Sequence, residues 1–147
     1  MKVKDILKVK GPEVYTIGAE KTILDATKVL INNNIGILLV LDTDAKIIGI
    51  LSERDIVKTL YKNPETFNSV KVKDVMTKNV IVSEPEDELE YVETVMTENR
   101  IRHLPVVHNK ILVGIISIGD IVKSLLKDTR FQNKYLMDYI SGGVPLQ

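Results

Sequence analysis

Residues 49–60 read Gly49-Ile-Leu-Ser-Glu-Arg-Asp-Ile-Val-Lys-Thr-Leu60, and residues 114–125 read Gly114-Ile-Ile-Ser-Ile-Gly-Asp-Ile-Val-Lys-Ser-Leu125. The blocks agree at Gly, the next Ile, Ser, Asp, Ile, Val, Lys and Leu, a longer agreement than shared turn chemistry produces. Val3-Lys-Asp-Ile-Leu7 is likewise echoed by Val72-Lys-Asp-Val-Met76. The second copy is about four residues shorter, the loss falling near Gly11-Pro12. An internal duplication fixes architecture before any local propensity does. The chain has to fold as two similar halves.

Each copy has one rhythm. A short apolar segment (Val14 to Ile17; Val80 to Val82) precedes a helical pattern (Ile23, Ala26, Leu30; Leu89, Val92, Met96). Asn32 to Asn34 end the first helix, since asparagine tolerates the left-handed conformation. An apolar run follows (Ile35 to Leu41; Leu104 to Val107), then a tight turn (Asp42 to Ala45; His108 to Lys110). A second strand then leads into a helix at Ser52 or Ser117. The expected fold is therefore α/β of the α+β kind, strand–helix–strand–strand–helix twice. The expected boundaries are 1–62 for the first repeat, 63–71 for a polar linker holding Asn63-Pro64, and 72–127 for the second repeat. Residues 128–147 carry a further helix with Phe131, Tyr135, Leu136, Tyr139 and Ile140, stopped by Ser141-Gly-Gly. Continuous apolar strands imply sheets covered by helices. Neither copy is long enough for a large core of its own, so the two are expected to form one module.

Composition narrows the function. Lys plus Arg and Asp plus Glu both number 20, giving a formal net charge of zero. That argues against a nucleic-acid coat, whose affinity rests on excess positive charge. With no cysteine there is no disulfide, thiolate metal site or cysteine nucleophile. Apolar runs fall far short of the roughly 20 residues of a membrane helix. The amino terminus lacks a signal-peptide core, so a cytoplasmic location is expected.

Ser52-Glu-Arg54-Asp55 and Ser117-Ile-Gly119-Asp120 stand where a strand turns into a helix. One reading is a capping box, with Ser as cap and an acid three residues on. The other is a ligand site, because a helix amino terminus attracts phosphate and a carboxylate there can accept from a ribose diol. The two roles are compatible. Arg100-Ile-Arg102-His103-Leu104-Pro105 reads either as a solvated helix end or as a phosphate clamp. Tyr15 and Ile17 read as core or as the wall of an adenine slot. Glycine-rich phosphate loops are missing, and Gly114 to Gly119 misses the spacing of a nucleophile elbow. The two histidines, His103 and His108, have no evident third ligand for a metal. A non-enzymatic role without a metal is expected.

Two copies ending Gly-Ile-hydrophobic-Ser-x-x-Asp-Ile-Val resemble the CBS-domain pair, or Bateman module, over roughly Val3 to Leu126. Asp74-Val-Met-Thr77 looks like that family's opening motif, and Arg102-His-Leu-Pro-Val-Val107 like its middle strand. The resemblance implies repeats packed through their sheets, clefts for AMP, ADP, ATP, NAD or S-adenosylmethionine, and helix-mediated homodimers. Carried over by position, Asp55 and Asp120 would hold ribose, with Ser52, Ser117 and Arg54 near phosphate. Val14, Tyr15, Ile35, Gly36, Ile37, Ile50, Val80, Ile81, His103, Leu104, Pro105 and Ile115 would enclose the base, and Thr77, Arg102 and Gly119 would also belong to the nucleotide site. The resemblance would pair Asp120 with Val14 and Ile37, and Asp55 with Val80 and His103. Gly119 replaces Arg54 and Gly36 replaces Arg102 between copies, so the two sites should differ. The expected function is a regulatory, energy-sensing module for an adenine nucleotide, acting on a separate partner protein. The alternatives are a protein-interaction or dimerisation module whose Ser-x-x-Asp motifs only cap helices, or an S-adenosylmethionine-binding module.

Overall fold

Both copies build the same sequence of elements, and the details follow from individual residues. The structure, a computed structural model, describes residues 1–127 and 129–140; the side chains of residues 129–132, 135 and 140 lie outside the description. The helices are α1 (Val3–Lys10), α2 (Ile23–Asn33), α3 (Glu53–Lys62), α4 (Val72–Val75), α5 (Leu89–Asn99), α6 (Ile118–Leu125) and α7 (Thr129–Ile140). The strands are β1 (Thr16–Gly18), β2 (Ile37–Leu41), β3 (Ile47–Ser52), β4 (His103–His108) and β5 (Ile111–Ser117).

The chain forms two compact units, Glu13–Ile81 and Met1–Pro12 with Val82–Gln147. The opening helix of each sequence copy thus docks on the other copy. In the first-named unit, Val72 N donates to Lys21 O, Lys73 N to Ala19 O and Ile23 N to Val70 O. In the other, Val3 N donates to Asp87 O, Lys4 N to Pro85 O and Leu89 N to Met1 O. These are the same three bonds, made by matching residues. Glu20 binds Lys71 and Lys73 as Glu86 binds Lys2 and Lys4.

In the unit Glu13–Ile81, β1 pairs parallel with β2, which pairs antiparallel with β3. Alternation puts Leu38, Val40 and Leu51 into a core with Ile17, Ile23, Ala26, Leu30 and Val72. In the other unit, β4 and β5 pair antiparallel, and Leu104, Val106 and Ile116 meet Val3, Ile6, Val92, Met96 and Ile121.

The first strand expected at Val80 to Val82 does not form. One parallel bridge, Ser83 with Val106, stands in its place, and Ile81 and Val82 are exposed. Two prolines account for this. In the first copy Leu39 N donates to Tyr15 O and Ala19 N to Leu41 O. The matching donors in the second copy are Pro105 and Pro85, which have no N–H. Only the central pair survives, Ser83 N to Pro105 O and Val107 N to Ser83 O.

The expected carboxy-terminal helix is present as α7. Leu136 is half exposed and Tyr139 exposed. Ser141-Gly-Gly and the side chains of Phe131, Tyr135 and Ile140 lie outside the described residues.

Candidate ligand site

Ser52 ends β3 in an extended conformation and Ser117 ends β5 likewise, so each hands the chain straight into a helix. Ser52 Oγ accepts from Asp55 N at 3.3 Å, and Ser52 N donates to Asp55 Oδ2 at 3.0 Å. In the other unit Ser117 Oγ accepts from Asp120 N at 3.0 Å, and Ser117 N donates to Asp120 Oδ2 at 2.9 Å. Both capping boxes are complete. Each carboxylate spends one oxygen on the cap. Among the described residues, no hydrogen bond reaches the other oxygen of either aspartate.

In the unit Glu13–Ile81, the edge of β3 beside this cap is covered by the chain following α4. Ile50 N donates to Thr77 O and Thr77 N to Ile50 O, both at 2.9 Å. Val80 and Ile81 follow directly. Gly36 lies one residue before β2, and its carbonyl accepts from Glu53 N at 3.1 Å. A Cβ on Gly36 would stand 2.8 Å from Glu53 Oε1, so its lack of a side chain makes room at the amino end of α3. Ile35 and Ile37 flank it half-buried, as are Val14 and Tyr15 before β1. Tyr15 donates its hydroxyl to Glu13 at 2.9 Å; this bond, with the Glu13 charge, pushes the phenol above its ordinary pKa. Arg54 is exposed on α3.

In the other unit, Arg102 O accepts from Ile118 N at 2.9 Å, repeating the contact of Gly36 with Glu53. Arg102 is exposed, His103 and Ile115 half-buried, and Pro105 buried. Leu104 belongs to the core at 1% exposure. Gly119 is exposed in the first turn of α6.

One residue here escapes sequence reasoning. Lys10, the last residue of α1, donates to Asp120 Oδ2 at 2.7 Å and to Ile115 O at 2.9 Å. Partial burial works to raise the Asp120 carboxyl, but the bonds from Lys10 and the Ser117 amide outweigh it and hold its pKa low. Lys10 and Asp120 also line a cleft of about 310 Å³ between α1 and α6, with Asp5, Lys123, Ser124 and Lys127. A lysine 110 positions from its partner has no local signal.

Among the described residues, no group of three or more His, Asp or Glu is arranged to hold a metal. No described helix is long and apolar enough to cross a membrane.

Residues 3–62 and 72–127 each match the CBS domain family. A CBS-domain containing protein from Agrobacterium tumefaciens superposes with a TM-score of 0.82 at 39% identity, over 84% of this chain and 98% of that one. A mitochondrial CBS domain-containing protein of Arabidopsis thaliana is 32% identical over 96% of this chain and 72% of its own length. A CBS domain pair crystallised with 5′-methylthioadenosine and S-adenosyl-L-methionine superposes with a TM-score of 0.75 at 31% identity, over 85% of this chain and 99% of that one.

Proposed function

The chain belongs to the CBS-domain family, and on that premise we propose that it is a regulatory module that binds adenosine-containing ligands and acts on a separate protein. The observation that carries this reading is the pair of capped aspartates. The cap at Ser52 or Ser117 fixes each carboxylate at a helix amino terminus and leaves one oxygen able to accept from a ligand hydroxyl. A ribose diol is the donor pair suited to such an acceptor. The half-buried apolar residues near each cap, Ile50 and Ile37 in one unit and Ile115 in the other, suit the faces of a purine. Exposed Arg54 and Arg102 supply donors for phosphate. On this basis AMP, ADP, ATP and NAD are the first ligands to test.

S-adenosylmethionine is the second reading. The neighbour solved with that ligand and 5′-methylthioadenosine favours it, and its adenosine half would use the same carboxylate.

Ile31 on α2, with Val57, Leu60 and Tyr61 on α3, leaves an apolar helical face exposed. A groove of about 360 Å³ between these helices is lined by Leu30, Ile31, Ile56 and Val57. Such a face marks an interaction surface, and a homodimer through it fits the family resemblance. Regulation would follow from differential affinity: a ligand that binds one arrangement of the module better shifts the population a partner reads.

Titration calorimetry with AMP, ATP, NAD, S-adenosylmethionine and 5′-methylthioadenosine tests the reading. At least one should bind, and a hundredfold excess over its Kd should add about 2.7 kcal/mol of stability by mass action. Failure of all five at millimolar concentration would leave the interaction-module reading in its place.

A further inference from the structure

The two copies also differ where the opening helix meets the second strand. In the unit Glu13–Ile81, α4 stops at Val75, and the backbone of Thr77 closes the strand edge at Ile50 with two hydrogen bonds. The matching residue of β5 is Ile115. There the opening helix does not stop: α1 continues to Lys10, four residues beyond Ile6, the match of Val75, and Ile115 is met by a side chain rather than by backbone. The Lys10 ammonium takes the Ile115 carbonyl and the Asp120 carboxylate together. Asp55 carries no such cation; among the described residues it forms no ion pair.

We propose that Lys10 is a built-in occupant of the Asp120 site, an internal competitor that a ligand must displace. This rests on the adenosine reading above. The ammonium holds the Ile115 carbonyl, an acceptor that a ligand's amine would otherwise use, and the capped oxygen Oδ2 of Asp120, which places it beside the free oxygen offered to a ligand hydroxyl. The contact is made to be broken. The Lys10 and Asp120 side chains are 31% and 21% exposed, so solvent weakens the pair. The 310 Å³ cleft beside it gives the released side chain room. The consequence is a module with one open site, at Asp55, and one self-occupied site, at Asp120. Filling the second requires release of the Lys10 side chain, which ties occupancy to the last residue of α1.

Adenosine is the discriminating probe, because it has no phosphate whose attraction to Lys10 would mask the competition. It is titrated into the parent, Lys10→Met, Lys10→Ala and Lys10→Arg proteins, each shown folded by its melting curve. Asp55→Asn and Asp120→Asn assign the two sites. Removing the ammonium should tighten adenosine at the Asp120 site about two- to fivefold and leave the Asp55 site unchanged. The Arg variant, which keeps the cation, should stay near the parent. In the parent, adenosine should also raise the reductive methylation rate of Lys10. Unchanged or weaker binding in both neutral variants, with the parent still binding adenosine, overturns the role of Lys10 alone. No adenosine binding in any protein overturns the adenosine reading and the competition with it.

Discussion

A Cδ2 methyl of Leu7 lies 2.8 Å from the point where a Cβ on Gly114 would stand. Gly49 has the same relation to Met76, whose Cγ lies 2.8 Å from its Cβ position. In both units, therefore, a glycine in the second strand admits a large side chain from the opening helix of the other sequence copy. That is the physical reason the Gly-Ile step recurs in both blocks.

The two glycines should not be equally sensitive. At Gly114 the obstacle is the far end of a leucine, which can turn away. At Gly49 the Thr77 carbonyl oxygen also stands 3.1 Å from the Cβ position, and that backbone is pinned to Ile50. Overpacking against backbone costs about 1–3 kcal/mol. Gly49→Ala should therefore lower the urea midpoint clearly, and Gly114→Ala by less. Equal losses, or the reverse order, would contradict this account.

Glu86 gives an acid signature. Hydrogen bonds from Lys4 and then Lys2 lower its carboxyl from 4.5 to about 2. A carboxyl whose folded pKa is depressed stabilises the fold above its unfolded pKa, and the benefit fades as pH falls through the folded value. The Glu86 contribution should thus be complete above about pH 4.5 and disappear towards pH 2. The group is exposed, so the contribution is small and screened by salt. Carboxyl chemical shifts followed by NMR should show Glu86 titrating near 2 at low ionic strength. Lys4→Met should move the midpoint upward; an unmoved midpoint would rule out the pairing.

The duplicated architecture was legible because repeated residues such as Gly49/Gly114 and Ser52/Ser117 report directly on repeated geometry. The capping boxes were legible for the same reason: the cap and its acid are three residues apart. What hid was non-local. The exchange of opening helices cannot be read from copies that each look self-contained, since Val3 and Val72 fit either core by size alone. The missing strand at Val80 was readable only once its partner was known, because the lost donors belong to Pro85 and Pro105. Lys10 stayed hidden because an ammonium at a helix end usually faces water, and nothing in its neighbourhood names Asp120.

The aspartates separate capping from binding. Asn at position 55 or 120 keeps an oxygen to accept from the Ser52 or Ser117 amide, so most of each cap survives. Asp55→Asn should cost the ligand-free protein only a few tenths of a kcal/mol. Asp120→Asn also loses the charge opposite Lys10, a partly exposed pair worth about 0.2–1 kcal/mol, and should melt lower of the two. Binding should respond far more strongly than melting. An amide nitrogen facing a hydroxyl that had donated to a carboxylate leaves a mismatched polar group, at about 1–3 kcal/mol, or roughly 5- to 150-fold in Kd. Each variant should lose the ligand at its own site and keep it at the other. Calorimetry paired with melting curves checks both halves: unchanged affinity in both variants would leave the two aspartates as helix caps and nothing more.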